Sequence, residues 1–327
     1  MTKFTISLCT LLLLCSCSQE PQYPAEKALD EIKALNAVLV GNANTAEVFW
    51  PYSEPYLKAR HTIYSRVNID SLNDAQLQTL NYLTIEERFV RRYQPWHLLF
   101  DLSPLLTRLG EPQWQSELAS WLTFVEYKMM EAQRSKIFIN QIELAHINNQ
   151  LSVLSDSPMR KELTSSVQSL QKYLATYVPR NQLGLSQLPN GGDWLQTKLN
   201  YYSNDVHSPI QWLTAIQSQL KSYESELVAA LPEPRTNELA SDLDWRQGFA
   251  DLKGWAKLQN LSSEQKKMAL IWMELDLGVH AQMWDEELVF NLMAQRGIAQ
   301  PIAQQLLDKV LRNPGQSFIY AFIVREI

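Results

Sequence analysis

Residues 114–129 read WQSELASWLTFVEYKM, and the spacing of their apolar side chains decides the fold class. These side chains recur at intervals of four, three, four and four residues, at Trp114, Leu118, Trp121, Val125 and Met129. Such intervals place them on one face of an α-helix with about 3.6 residues per turn. The pattern continues through Ile142 and Leu151, so the sequence predicts its longest helical stretch here, with room for one interruption.

Comparable spacing predicts helices along the rest of the chain. Ser71, Ser157 and Ser208 stand where helix N-caps are expected, and a proline follows the last two. The predicted helices cover about 25–39, 71–93, 157–179, a short stretch to 202, 208–231, 243–259, 263–281, 285–296, 300–312 and 315–325. Glycine is scarce, at 10 of 327 residues, whereas β-hairpins need it at their turns. The predicted fold class is therefore all-α, a large multi-helix domain.

The first residues resemble the secretion signal of a bacterial lipoprotein. Lys3 gives a short positive start, and the apolar stretch 4–14 is too short for a bilayer core, which needs about 20 apolar residues. It ends in Leu14-Cys15-Ser16-Cys17, which is similar to a lipobox. The resemblance implies that signal peptidase cleaves before Cys17 and that the Cys17 sulfur carries the diacylglycerol. The alternative is a cleaved secretory signal without lipid.

The lipobox also predicts a compartment. Two or three acyl chains such as palmitate anchor a protein firmly, because each buried CH₂ contributes about 0.8 kcal/mol. Ser18 follows Cys17, and by the sorting rule of enteric-type bacteria this favours the outer membrane, facing the periplasm. Cys9 and Cys15 leave with the signal, so the mature chain cannot form an internal disulfide.

The sequence predicts three regions: a signal peptide over 1–16, a lipidated tether over 17–24 and a helical domain over 25–327. About 300 residues approach the upper limit for one hydrophobic core. One large domain and two closely packed halves both remain open, and the proline-containing stretch 232–242 is the candidate for an internal break. No cofactor is predicted, since the chain has no Gly-rich phosphate loop and no Gly-x-Ser-x-Gly elbow.

The charge balance argues against nucleic acid as a partner. Without the signal the chain has 28 basic and 35 acidic residues, a net charge of −7. The basic cluster of Arg88, Arg91 and Arg92 stands beside Glu86 and Glu87. Since Glu87 and Arg91 are four residues apart, this cluster indicates a salt-bridged helix face.

Three segments of the C-terminal half resemble the bacterial family called domain of unknown function 885. The first is Leu188-Pro189-Asn190-Gly191, followed by residues 201–205 and Ser208-Pro209. The second is Leu275-Asp276-Leu277-Gly278-Val279-His280-Ala281 with Trp284, and the third is Pro314-Gly315-Gln316 with Tyr320. Family members are expected to be metallopeptidase-like, with a mostly helical, zincin-like fold, and many are exported or lipid-anchored.

The family's chemistry is expected from a His-Glu-x-x-Pro-Gly-His-His stretch between the first and second segments. Such a motif would supply the metal ligands and a general base. Here no histidine occurs between His207 and His280, and Lys253 stands where the family has a candidate metal-binding Glu. The resemblance therefore implies a shortened relative without a metal site or catalytic residues, a pseudoenzyme.

The residues that remain from the family's cleft are Asp276, His280, Trp284, Gln316 and Tyr320. Asp276, His280 and Trp284 are spaced i, i+4, i+8, which predicts that they share one helix face. Asp276 would then accept a hydrogen bond from the His280 imidazole and fix its tautomer. The alternative is a packing pair that holds helices together.

Three functions compete on this evidence. The leading hypothesis is a membrane-anchored envelope lipoprotein with a degenerate peptidase-like helical fold, which binds a peptide or protein partner without catalysis. The second is a metal-dependent peptide hydrolase whose ligands are rearranged, with His280 joined by carboxylates that folding brings close. The third is a structural envelope protein that acts as a spacer.

Overall fold

The computed structural model describes residues 50–232, apart from 87, 90–92, 97 and 99, and residues 256–324, with isolated positions at 24, 27, 28, 31 and 35. The predicted signal peptide, Cys17, most of the predicted helix at 25–39 and nearly all of the candidate break at 232–242 lie outside these residues. The prediction of an all-α fold is confirmed. Strand-like pairing in the described ranges consists of isolated bridges, one at Val67 and one between Asn140 and Arg180.

The helices are connected by turns, by 3₁₀ stretches and by the longer segments 87–111 and 175–190 in the described ranges. The α-helices there are α1 (Glu54–Arg66), α2 (Asp74–Glu86), α3 (Pro112–Arg134), α4 (Gln141–Ser155), α5 (Lys161–Leu174), α6 (Gly191–Ser203), α7 (Pro209–Lys221), α8 (Ser263–Ala281), α9 (Glu286–Gln295) and α10 (Gln300–Arg312). Four stretches are 3₁₀-helical: Ile69–Ser71, Ser103–Gly110, Leu185–Gln187 and Gln316–Ile323.

The longest predicted stretch forms α3 and α4, with the interruption at residues 135–140. Asn140 begins α4 through a capping box with Glu143, in which each side chain accepts from the other's backbone N–H. Trp114 and Trp121 are both buried, each about 2% exposed, and they lie in an aromatic cluster with Trp50. The helical spacing of Trp114 and Trp121 therefore places both rings in the hydrophobic core.

Several predicted helix boundaries are wrong, each for a local reason. The cap of α2 is Asn73, which exchanges hydrogen bonds with Gln76, whereas Ser71 ends a 3₁₀ turn. Ser157 bonds backward to the Val153 carbonyl, and α5 begins only at Lys161. Helix α1 is not among the predicted helices; Pro55 stands in its first turn, where proline is tolerated.

The chain's end differs from its prediction as well. Residues 316–323 are 3₁₀-helical, where an α-helix was predicted over 315–325. By contrast, Ser208 caps α7 in a capping box with Gln211, and α8 and α10 have the predicted bounds.

The buried side chains form two hydrophobic clusters. The N-terminal cluster consists chiefly of buried apolar residues between 50 and 177, on α1–α5. The C-terminal cluster consists chiefly of those between 183 and 323, joined by Leu98, Ala132 and Ile137. Helix α8 is the centre of the second cluster, since every residue from 267 to 280 is buried. A helix that is enclosed on all sides is a core helix, and its polar groups need partners.

Helices α2 and α6 join the two clusters through a buried polar contact. The Lys198 ammonium, which has no exposed area, lies 3.0 Å from a Glu86 oxygen and donates to the Tyr82 hydroxyl, also at 3.0 Å. Glu86 also accepts from the Trp194 indole at 2.7 Å, and the rings of Tyr82 and Tyr201 stack 4.0 Å apart. Glu86, which stands beside the predicted salt-bridged cluster, is therefore buried between two helices, while Glu87, Arg91 and Arg92 lie outside the described residues.

Candidate functional site

A narrow pocket lies between the start of α4 and the C-terminal cluster. Its cavity of about 30 Å³ is partly open to solvent and holds one or two groups the size of a water molecule. The polar lining side chains are Gln94, Asn140, Glu143, Arg180, His280 and Arg312, and the remaining lining residues are five leucines, Trp194 and Pro314. We call this the junction pocket.

Arg180 forms a fixed wall of the junction pocket. Its guanidinium donates to the backbone carbonyls of Phe138 at 3.0 Å, Gly184 at 2.7 Å and Gln182. A Glu143 oxygen lies 3.6 Å away. Burial lowers the pKa of Arg180, and the charge of Glu143 opposes that effect. The Arg180 charge is therefore compensated, and its donors hold the loop that follows α5.

Two polar side chains of the pocket have hydrogen-bond donors without a partner in the described residues. Arg312, exposed in the last turn of α10, forms no ion pair or side-chain hydrogen bond with any described residue. Its charge still reaches the pocket's surroundings: burial lowers the pKa of His146, and Arg312 lowers it further. Gln94 is 9% exposed, and its Nε2 has no hydrogen-bond partner in the described part of the chain. A buried amide without a partner costs free energy, which a ligand would recover.

His280 lines the pocket with both ring nitrogens engaged. Nδ1 accepts from the Leu185 backbone N–H at 3.2 Å, and Nε2 lies 3.1 Å from the Val310 carbonyl oxygen. These partners assign the proton to Nε2 and the lone pair to Nδ1. Gly184 makes the arrangement possible, because a Cβ there would overlap the Val279 carbonyl of α8.

Asp276 does not serve His280 as predicted. The two side chains are 3.9 Å apart, beyond hydrogen-bond distance, and the Val310 carbonyl takes the expected role. The Asp276 carboxyl instead accepts from the Gly315 N–H at 2.9 Å and the Ser317 hydroxyl at 2.7 Å. It is fully buried, and burial raises its pKa to about 7 against the effect of these hydrogen bonds.

The prediction that Trp284 shares a helix face with Asp276 and His280 is wrong, because α8 ends at Ala281. The chain reverses at Met283, which has a φ of 59°. The Trp284 N–H then bonds to the Gly278 carbonyl at 2.9 Å, and its ring covers Gly278, where any Cβ would clash. Trp284 therefore closes the end of α8.

Gln316 and Tyr320 lie outside the junction pocket. Gln316 is half-buried at the start of the last 3₁₀ stretch, and its N–H bonds to the Asn313 carbonyl. Tyr320 is buried, with its ring 6.1 Å from that of Trp272. Of the predicted cleft residues, only His280 reaches the pocket.

The described ranges lack two features that bear on the competing functions, a metal-binding cluster and a membrane-spanning helix. No three His, Cys, Asp or Glu side chains in those ranges lie together in a way that could hold a metal ion. No helix in that part of the chain has the length and apolar character to cross a bilayer. Lys253, which stands where the family has a candidate metal-binding Glu, lies outside the described residues.

Sequence reasoning missed most of the pocket. The spacing of Asn140 and Glu143 is that of a capping box and was visible in the sequence. Gln94, Arg180 and Arg312 carry no local signal, because each belongs to a different segment and only folding brings them together.

Comparisons with family models, with curated proteins and with solved structures find no match for this chain.

Proposed function

We propose that the chain is a lipid-anchored envelope protein that binds a peptide or protein partner without cleaving it. The observation that carries this proposal is the junction pocket, in which the Arg312 guanidinium and Nε2 of Gln94 have no partners among the described residues. A pocket with convergent polar groups and an apolar lining is the usual form of a ligand site. The groups that are already satisfied, Arg180 and Asn140, hold its walls in place.

The absence of catalysis is supported by the hydrogen bonds of His280 and Glu143 in the pocket and of Asp276 beside it. A general base needs a free lone pair within reach of a substrate. His280 directs Nδ1 at a backbone N–H, and Glu143 accepts from the Asn140 N–H at 2.6 Å. Asp276 is enclosed beneath residues 315–317. These three groups therefore stabilise the fold.

The membrane anchor rests on the lipobox at Cys17, with Ser18 favouring the outer membrane and an orientation toward the periplasm. The same proposal includes descent from the family called domain of unknown function 885. It is supported by the contact between Asp276 of the second similar segment and Gly315 of the third. Gly315 has a φ of 79°, which glycine adopts easily, so the family's Pro-Gly-Gln has a structural use here.

One pair of variants tests anchoring and binding together. Membranes from cells that express the wild-type protein are expected to retain members of a library of N-acetylated hexapeptides. With Cys17→Ser, the sulfur that carries the lipid is lost, so protein and peptide retention should both move to the soluble fraction. Cys15→Ser is the matched control, because serine is also small enough for the position before cleavage. Wild-type protein in the soluble fraction, or membranes that retain no more peptide than membranes without the protein, would contradict the proposal.

A further inference from the structure

We infer that the junction pocket binds the carboxylate of a ligand whose neighbouring group is apolar. If the proposed function is right, on which this inference rests, the ligand is the C-terminus of a peptide. The inference follows from the charge, the free donors and the size of the pocket, each of which limits the chemistry that fits.

The charges that line the pocket leave one positive charge unmatched. Arg180 is paired with Glu143 at 3.6 Å, and its guanidinium also donates to three backbone carbonyls. The two hydrogen-bonded ring nitrogens of His280 add no charge in the tautomer assigned above. Arg312 remains, so a single negative charge balances the site. A carboxylate supplies one charge, whereas a phosphate dianion would leave an excess.

The donors that are still free also suit a carboxylate. Asn140 is largely engaged, since Oδ1 accepts two backbone N–H groups and Nδ2 donates one of its two hydrogens to the Leu183 carbonyl at 3.2 Å. The lining donor groups without any partner in the described residues are Nε2 of Gln94 and the Arg312 guanidinium. Arginine binds a carboxylate through two parallel N–H bonds, and such charge-assisted bonds are about twice as strong as neutral ones.

The size and lining of the pocket limit the rest of the ligand. A cavity of about 30 Å³ admits a small group such as a carboxylate, and a folded partner could not enter it. Leu183, Leu188 and Trp194 stand beside the polar groups and give an apolar wall. A chain end with an aliphatic last residue therefore meets both kinds of surface, because apolar contact favours burial of its side chain.

The test compares three probes on the full-length protein in detergent. They are a library of fluorescent hexapeptides with a fixed C-terminal leucine, the same library with an amidated C-terminus, and 4-methylpentanoate as a free short acid. We expect the free-carboxylate library to bind at least tenfold more tightly than the amidated one. Arg312→Gln should weaken that binding about tenfold. Arg134→Gln is the matched control, because Arg134 is also an exposed arginine in the last turn of a helix and does not line the pocket.

The other outcomes separate the inference from the proposed function. Equal binding of both libraries, unchanged by Arg312→Gln, overturns the carboxylate pocket and leaves peptide binding in place. Binding of 4-methylpentanoate that depends on Arg312, with neither library bound, supports the carboxylate pocket and overturns the peptide as its source. The absence of binding by all three probes overturns both.

Discussion

Replacing Lys198 with alanine is expected to lower the free energy of unfolding by about 3–5 kcal/mol, the cost of breaking a buried ion pair from one side. Lys198 has no exposed area, and Glu86 is about 6% exposed in its side chain. Removing the ammonium takes away the positive charge that lies 3.0 Å from the buried Glu86 carboxylate. The effect should be large because the pair joins the α2–α6 contact between the two clusters.

Chemical denaturation followed by far-UV circular dichroism measures this loss. Lys221→Ala is the matched control, an exposed lysine in the last turn of α7, and should change stability by less than about 0.5 kcal/mol. The double variant Lys198→Met with Glu86→Gln removes both charges at similar volume, so it should recover most of the loss. A Lys198→Ala variant as stable as the control would show that the pair contributes little.

Stability is expected to fall as the pH rises from about 4 to about 7, because of Asp276. Its pKa is 3.8 in an ordinary environment and about 7 in the folded chain, so the folded state binds more protons between these values. The favourable contribution is therefore complete below about pH 4 and is lost as the pH rises through 7. At about 1.4 kcal/mol per pKa unit the full effect is on the order of 4 kcal/mol.

The variant Asp276→Asn isolates this contribution, since asparagine stays neutral across the whole range. Its amide loses one of the bonds from Gly315 or Ser317, so the variant is expected to be less stable than wild type at pH 4.5. The balance should then move by several kcal/mol in favour of the variant toward pH 8, where the wild type must bury a charge, so that the variant becomes the more stable of the two. Asp156→Asn, at an exposed site, should follow the wild type at every pH. A constant difference between Asp276→Asn and the wild type would show that Asp276 does not titrate in this range.

The sequence predicts helices better than it predicts their ends or their neighbours. The stripe from Trp114 to Met129 needs only the helical period, and the structure confirms it. Helix α2 ends at Glu86, seven residues before the predicted end at Tyr93, and Glu86 contacts α6 there. No local signal reports such a contact, since its partner Lys198 is more than a hundred residues away.

The candidate site shows the same limit. Asp276 and His280 have the spacing of a hydrogen-bonded pair, yet in the core helix each side chain finds a closer backbone partner on another segment. The prediction for Trp284 is wrong because the chain reverses direction at Met283. Met283 has a positive φ, which glycine or asparagine adopts more often, so its identity gives no sign of the reversal. The pocket itself depends on Arg312 and Gln94, whose meeting is a property of the tertiary fold.

The mass of the bound peptides tests most directly whether this protein binds peptides without cleaving them. The full-length protein in detergent is incubated with the unlabelled free-carboxylate hexapeptide library, with and without a metal chelator, and the bound and unbound peptides are weighed by mass spectrometry. We predict that bound peptides keep their full mass and that the chelator changes neither their amount nor their identity. Shorter fragments that appear with time and disappear with the chelator would contradict the account and identify a metal-dependent hydrolase.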